Sequence, residues 1–199
     1  MKSFLLVSSL LWLSVANAFL PSAFRLDFTQ EEKSLVSGRV KKSEGRIEYR
    51  APGRIRFEIQ KPHQLIFVAN PKRSWYYTAP AMAGEPGEVT ISNGSSHPIL
   101  KFFDILSSGF DKNKSYEVAK KDGVATLDFS KHAQEEFSLK SAILTMGSDY
   151  TFPTLTKIAV TLTDGKTIRL QLSNLVPNVA MPDSYFNFEI PANTRQHRQ

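Results

Sequence analysis

The chain has 199 residues and no cysteine, which excludes a disulfide framework, a thiol nucleophile and lipid attachment through cysteine. Its 25 Lys and Arg outweigh 19 Asp and Glu to give a net charge of +6, a balance that suits an acidic partner or an anionic surface. The bases crowd at Arg39, Lys41, Lys42, Arg46, Arg50, Arg54, Arg56 and Lys61; Arg54 and Arg56 alternate with apolar residues as the wet face of a strand does, and with the export expected below no nucleic-acid partner is expected.

At the start, Lys2 precedes an apolar run from Phe4 to Ala16 that ends in Ala16-Asn17-Ala18, the pattern of a secretory signal peptide cleaved after Ala18. A run of roughly 13 residues is too short to span a hydrocarbon core of about 30 Å. Export is therefore expected, with residues 19–199 forming a single domain. A chain of roughly 180 residues buries about 70% of its unfolded surface and needs no covalent staple.

Strand signals then dominate. Residues 50 to 77 read as strand, turn, strand and aromatic strand end: Ile55, Phe57 and Ile59 share one face of a period-two strand, and Arg54, Arg56 and Glu58 the other. Arg46 to Tyr49 and Gln64 to Ala69 read as flanking strands. Residues 79 to 97 form a Pro, Gly, Ser and Asn rich loop with one short strand at Val89 to Ile91. After it, Pro98, Ile99, Phe102, Phe103, Leu106 and Phe110 follow helical spacing, with Pro at the first helical position and Gly109 near the stop, which predicts a short amphipathic helix.

Val124 to Phe129 and Phe137 to Thr145 read as further strands. Ile158, Val160 and Leu162, an Asp164-Gly165 turn, and Ile168, Leu170 and Leu172 predict a hairpin. Asn174 to Ser184 reads as irregular, and Tyr185 to Ile190 as a last alternating strand. The result is a largely antiparallel sheet with one apolar face and one greasy helix to lay over it. Either the face is filled by its own side chains or it is left partly open for a ligand; composition favours the first.

Reaction chemistry is not visible. His63, His97, His132 and His197 lack metal-ligand spacing, so no metal and no cofactor are expected. Gly94-Ser95-Ser96-His97 lacks the closing glycine of a nucleophile elbow. Glu31-Glu32 and Glu135-Glu136, adjacent on strands, would point to opposite faces and could not act on one bond. Asp104 and Asp111 read as solvating and capping groups around the helix. The chain is not expected to be an enzyme.

Seven pieces in order resemble the LolA family of periplasmic lipoprotein carriers: Phe24-Arg-Leu-Asp-Phe28-Thr-Gln30, Pro52-Gly53-Arg54-Ile55-Arg56-Phe57-Glu58, Pro62 with Leu65 to Val68, Trp75-x-Tyr77, Pro98 to Leu106, Asp164-Gly165, and Phe186-x-Phe188 with Pro191. The resemblance implies a mainly β fold with α: an incomplete, half-open antiparallel barrel whose concave apolar face lies under an amphipathic helical lid. It implies acyl-chain binding by Phe28, Ile55, Phe57, Ile59, Phe67, Trp75 and Tyr77, with Phe102, Phe103 and Leu106 from the lid. It further implies acylated lipoproteins as cargo, an inner-membrane lipoprotein-releasing ABC transporter as source, an outer-membrane lipoprotein receptor as destination, and a monomer in the periplasm. A regulatory lipoprotein sensor on the same plan is the alternative. Three departures stand out. Only Phe19 to Ala23 separate the expected cleavage point from Phe24, where the family commonly has a helix. Asn70-Pro71 replaces the family's Asp-Gly turn before Trp75-x-Tyr77. And Ala51 occupies the position before the strand's proline where many members carry a lid-latching arginine, leaving Arg50 one residue early as the latch.

Overall fold

A computed structural model describes residues 19–33, 40–94, 97–111 and 113–199; the expected signal peptide at 1–18 lies outside the described residues, as do Ser95 and Ser96. The elements in chain order are β1 (Ala23–Lys33), β2 (Val40–Arg50), β3 (Arg54–Lys61), β4 (Leu65–Ala69), β5 (Arg73–Thr78), β6 (Gly87–Asn93), α1 (Pro98–Leu106), β7 (Tyr116–Lys121), β8 (Val124–Phe129), α2 (Lys131–Phe137), β9 (Leu139–Thr145), β10 (Lys157–Leu162), β11 (Thr167–Pro177) and β12 (Thr194–Arg198). Short 3₁₀ turns cover Phe152–Thr154 and Asp183–Phe186.

All twelve strands form one sheet, ordered β12-β6-β5-β4-β3-β2-β1-β11-β10-β9-β8-β7. Every pairing is antiparallel except β12 on β6. Strands β12 and β7 end the sheet without meeting, so it is an open half-barrel. Side chains from β1 to β4 and from β7 to β11 nevertheless join a single apolar cluster with α1 and α2, which requires the sheet to curl around that inner face. The half-barrel with a helix over its apolar face is the expected fold class.

The sequence reading does not place β1 or β7, β11 continues to Pro177 into the stretch expected to be irregular, and three further elements differ. Residues 131–137 form α2, with the Ser130 hydroxyl accepting from Ala133 N and Ser138 closing it in the left-handed conformation. Tyr185 to Ile190 is not a strand: its alternating aromatics dock on the outer face of the sheet instead of pairing with a neighbour. The final strand is β12, polar throughout, whose register comes from main-chain pairing with β6 and not from an apolar pattern.

The predicted hairpin is present, with Asp164 Oδ1 accepting from Lys166 N at 2.9 Å and Gly165 at φ +86°. Between the expected cleavage point and Phe24, Phe19 and Leu20 are themselves buried. Phe19 packs on Phe110 at 4.3 Å between ring centroids and on Phe152 at 6.4 Å.

Candidate functional site: the inner face and its helical cover

Strand register decides which residues share the inner face. Phe57 lies opposite Ile47 on β2 and Phe67 on β4, and Phe67 lies opposite Tyr76 on β5. Directly opposed residues project to the same side. Phe28, Ile55, Phe57, Ile59 and Phe67 therefore share one face, and they join the cluster containing Phe102, Phe103 and Leu106 of α1. Phe28 stacks on Phe57 at 5.0 Å, an approach allowed by Gly45, which lies opposite Phe28 on β1 and Ile59 on β3: a Cβ there would stand 2.5 Å from the Phe28 ring and 2.0 Å from the Glu58 carbonyl oxygen.

Trp75 and Tyr77 belong elsewhere. They lie opposite Val68 and Ile66, on the outer face, in a second cluster with Val89, Met181 and Phe186. Tyr77 packs on Phe188 at 5.3 Å. The family resemblance implied that these two side chains line the cavity, but the segment from Val179 to Ile190 covers the outer face here, so aromatic residues on β5 mark the outside. Their partners in the alternation, Ser74 and Tyr76, face inward.

Arg50 also faces outward. Its guanidinium donates to the Met181 carbonyl, pairs with Asp183 and lies over the Phe186 ring at 5.5 Å. It clamps the C-terminal segment, together with Asn70, whose Nδ2 donates to Phe186 O and Asn187 Oδ1. The expectation that Arg50 latches the lid is corrected: its position one residue early on β2 turns it to the other side of the sheet.

The contact that ties α1 down comes from the helix itself. Asp104 Oδ1 accepts from the Tyr49 hydroxyl at 2.8 Å and from Gly53 N at 2.9 Å. Burial, then the Asp104 charge and this hydrogen bond, push the Tyr49 hydroxyl far above the ordinary phenol range, so it stays a donor. The sequence reading gave Asp104 a solvating role; a single acid among the apolar residues 99–106 was the available signal.

At its other end α1 begins at His97, whose Nδ1 accepts from Ile99 N at 3.3 Å, followed by Pro98 at the first helical position. The His97 ring stacks on Phe67 at 4.3 Å. Along the helix Ile99, Leu100, Phe102, Phe103 and Leu106 are buried. Phe103 lies edge-on to Phe24 at 5.3 Å and against Tyr49 at 5.6 Å. The inner face is thus filled in this structure, and α1 supplies the filling. Phe24 and Tyr49, fully buried under α1, are central residues that sequence analysis did not place at this site.

An open antiparallel sheet, aromatic on its inner face and covered there by one amphipathic helix, defines a half-barrel binding protein. The family profile for the outer membrane lipoprotein carrier protein LolA matches residues 21–189, and the chain belongs to that family of carriers, which are not enzymes. An outer-membrane lipoprotein carrier protein of Idiomarina loihiensis is 24% identical over 170 residues, covering 83% of this chain and 76% of the relative. One of Methylobacillus flagellatus is 24% identical, covering 86% and 80%. One of Xanthomonas campestris pv. campestris is 27% identical over 115 residues, covering 57% of this chain; the chain spans about half, 54%, of that curated relative's length. Among solved structures, a LolA superfamily protein from Nitrosomonas europaea has a TM-score of 0.45 at 10% identity, covering 84% of this chain and 91% of its own.

Proposed function

We propose that the chain is a periplasmic carrier that takes up the acyl chains of lipoproteins beneath α1, receives them from an inner-membrane ABC transporter and passes them to an outer-membrane receptor. It works as one exported domain after cleavage behind Ala18, as a monomer and without a cofactor. The observation that carries this reading is the way the inner face is filled. Its aromatic lining is covered by five apolar side chains of a nine-residue helix, tied by polar contacts at His97 and Asp104.

Tails enter by exchange. Burial of five large apolar side chains is worth on the order of 10 kcal/mol, and a fifteen-carbon tail at about 0.8 kcal/mol per CH₂ is worth a similar amount. When one tail replaces the helix's side chains the two terms are of similar size, so return of the helix offsets part of the cost of releasing a multiply acylated cargo, and a membrane-side receptor takes it without nucleotide hydrolysis by this chain. A deep preformed hollow would hold tails too tightly for that.

Phe28, Ile55, Phe57, Ile59 and Phe67 are the wall that a tail would meet, with Phe102, Phe103 and Leu106 as the groups it displaces. Titrating the purified protein with a triacylated cysteinyl lipopeptide tests the reading. Saturable binding that Phe57→Glu abolishes is expected; a folded wild-type protein that ignores the lipopeptide would overturn it.

A further inference from the structure

Beside the N-terminus of α1 the inner face continues as a polar shelf. On β5 and β6 the inward positions are Ser74 and Tyr76, opposite Ser92 and Thr90. Together with Phe67 and His97 they line a pocket of about 360 Å³. No side chain lining it carries a fixed charge, and Ser74 is only 8% exposed.

Its hydrogen-bonding capacity is unspent. Among the described residues, no side-chain hydrogen bond uses the hydroxyls of Ser74, Tyr76, Thr90 or Ser92. Of the four only Ser74 is buried, and a buried hydroxyl without a partner costs stability unless water or a ligand occupies it; Thr90 and Ser92 are half-buried and Tyr76 is exposed, which leaves them open to a ligand's approach. His97 Nδ1 accepts from Ile99 N, so in the neutral ring the proton sits on Nε2, a donor that the described hydrogen bonds also leave unpaired. Burial lowers the His97 pKa to about 4, which keeps the ring neutral at physiological pH.

The pocket is therefore rich in donors, free of charged side chains, and continuous through Phe67 with the apolar face under α1; Asn93, Gly94 and Gln199 complete its lining. A matching ligand is amphipathic, with a neutral end that offers carbonyl acceptors. We propose that this shelf binds the ester and amide carbonyls that join the acyl chains to the cargo's first residue, while the tails pass beneath α1. The proposal rests on the carrier reading and adds to it a second, polar subsite that sets which lipids are accepted.

The test compares two probes on the full mature chain: a triacylated cysteinyl lipopeptide, which has the carbonyl head, and diphenylhexatriene, which is purely apolar. Ser74→Ala with Ser92→Ala removes two inward hydroxyls without adding bulk, and Thr90→Val serves as a second variant. The double variant should weaken lipopeptide binding about tenfold, from two lost hydrogen bonds, leave diphenylhexatriene uptake unchanged, and give a thermal midpoint no lower than wild type, because Ser74's hydroxyl has no partner to lose in the free protein. Unchanged lipopeptide affinity in both variants, or equal weakening for both probes, overturns the subsite. Wild-type protein that takes up neither probe overturns the carrier reading and the subsite together, an outcome distinct from the other two.

Discussion

The Tyr49 hydroxyl donates to Asp104 Oδ1 at 2.8 Å, joining the end of β2 to the middle of α1 across 55 positions of sequence. The same carboxylate oxygen accepts from Gly53 N, so one acid holds the helix to a strand and to the turn that follows it. A charged acceptor with two donors at a partly buried site is a stronger tie than a neutral pair. It is also local: it fixes one point of a short helix whose other contacts are apolar and interchangeable with lipid.

Removing that tie should loosen the cover more than the sheet. Asp104→Ala is expected to cost about 2 kcal/mol and Tyr49→Phe about 1 kcal/mol. Amide exchange should accelerate over residues 98–106 in both variants, with β1 to β4 unaffected, and lipopeptide should bind faster. Protection of α1 equal to wild type in Asp104→Ala would show that apolar packing alone holds the helix.

Arg50 supplies the complementary test, because it clamps the opposite side. Its partner Asp183 is 74% exposed at the side chain, so the ion pair contributes little by charge alone; the Met181 carbonyl and the Phe186 face give the contact its direction. Arg50→Ala should raise exchange and protease sensitivity over residues 179–188 and leave exchange in α1 and lipopeptide affinity unchanged. Loss of lid protection in this variant would place Arg50 back at the helix.

Much of this architecture was legible in the sequence because one period repeats. Ile55, Phe57 and Ile59 alternate with charged residues, and the two arms around Asp164-Gly165 alternate likewise, so both the strand and the apolar face follow from the residues. Alternation failed where both faces are covered. On β5 the larger apolar residues, Trp75 and Tyr77, are outside and Ser74 and Tyr76 inside, because the Val179 to Ile190 segment crosses that surface. Its own alternation, from Tyr185 to Ile190, serves docking and looks the same as a strand. Strand β12 has no apolar residue to signal it. The Asp104 tie was hidden for another reason: a carboxylate in a helix reads as solvated until its partners 51 and 55 positions away are known.

Gly45 is where the wall of the site depends on a missing side chain. Gly45→Ala would bring a methyl group to 2.0 Å from the Glu58 carbonyl oxygen and 2.5 Å from the Phe28 ring. The ring can swing aside, whereas the carbonyl belongs to the paired strand and moves only if β2 and β3 separate. A cost of about 3 kcal/mol, at the upper end for overpacking, is expected from urea unfolding. Combining it with Phe28→Leu should restore only the smaller part, since the backbone contact persists; full restoration would show that the ring alone was the obstacle.

The His97 cap makes stability depend on pH in a defined direction. The ring is held neutral in the folded protein by burial, with its pKa lowered from 6.5 to about 4. The unfolded chain binds a proton near 6.5, so between these values it holds more protons than the native state, and stability falls as pH drops from about 6.5 towards 4. Protonation also removes the Nδ1 acceptor that caps Ile99 N, so the loss should concentrate at the start of α1. The part-buried ring limits the effect to about 2 kcal/mol, less than the whole shift would give. His97→Asn keeps a capping acceptor that does not titrate in this range. Urea unfolding at pH 7.5, 5.5 and 4.5 should therefore show a shallower decline for His97→Asn than for wild type, and parallel declines would assign the pH dependence to other groups.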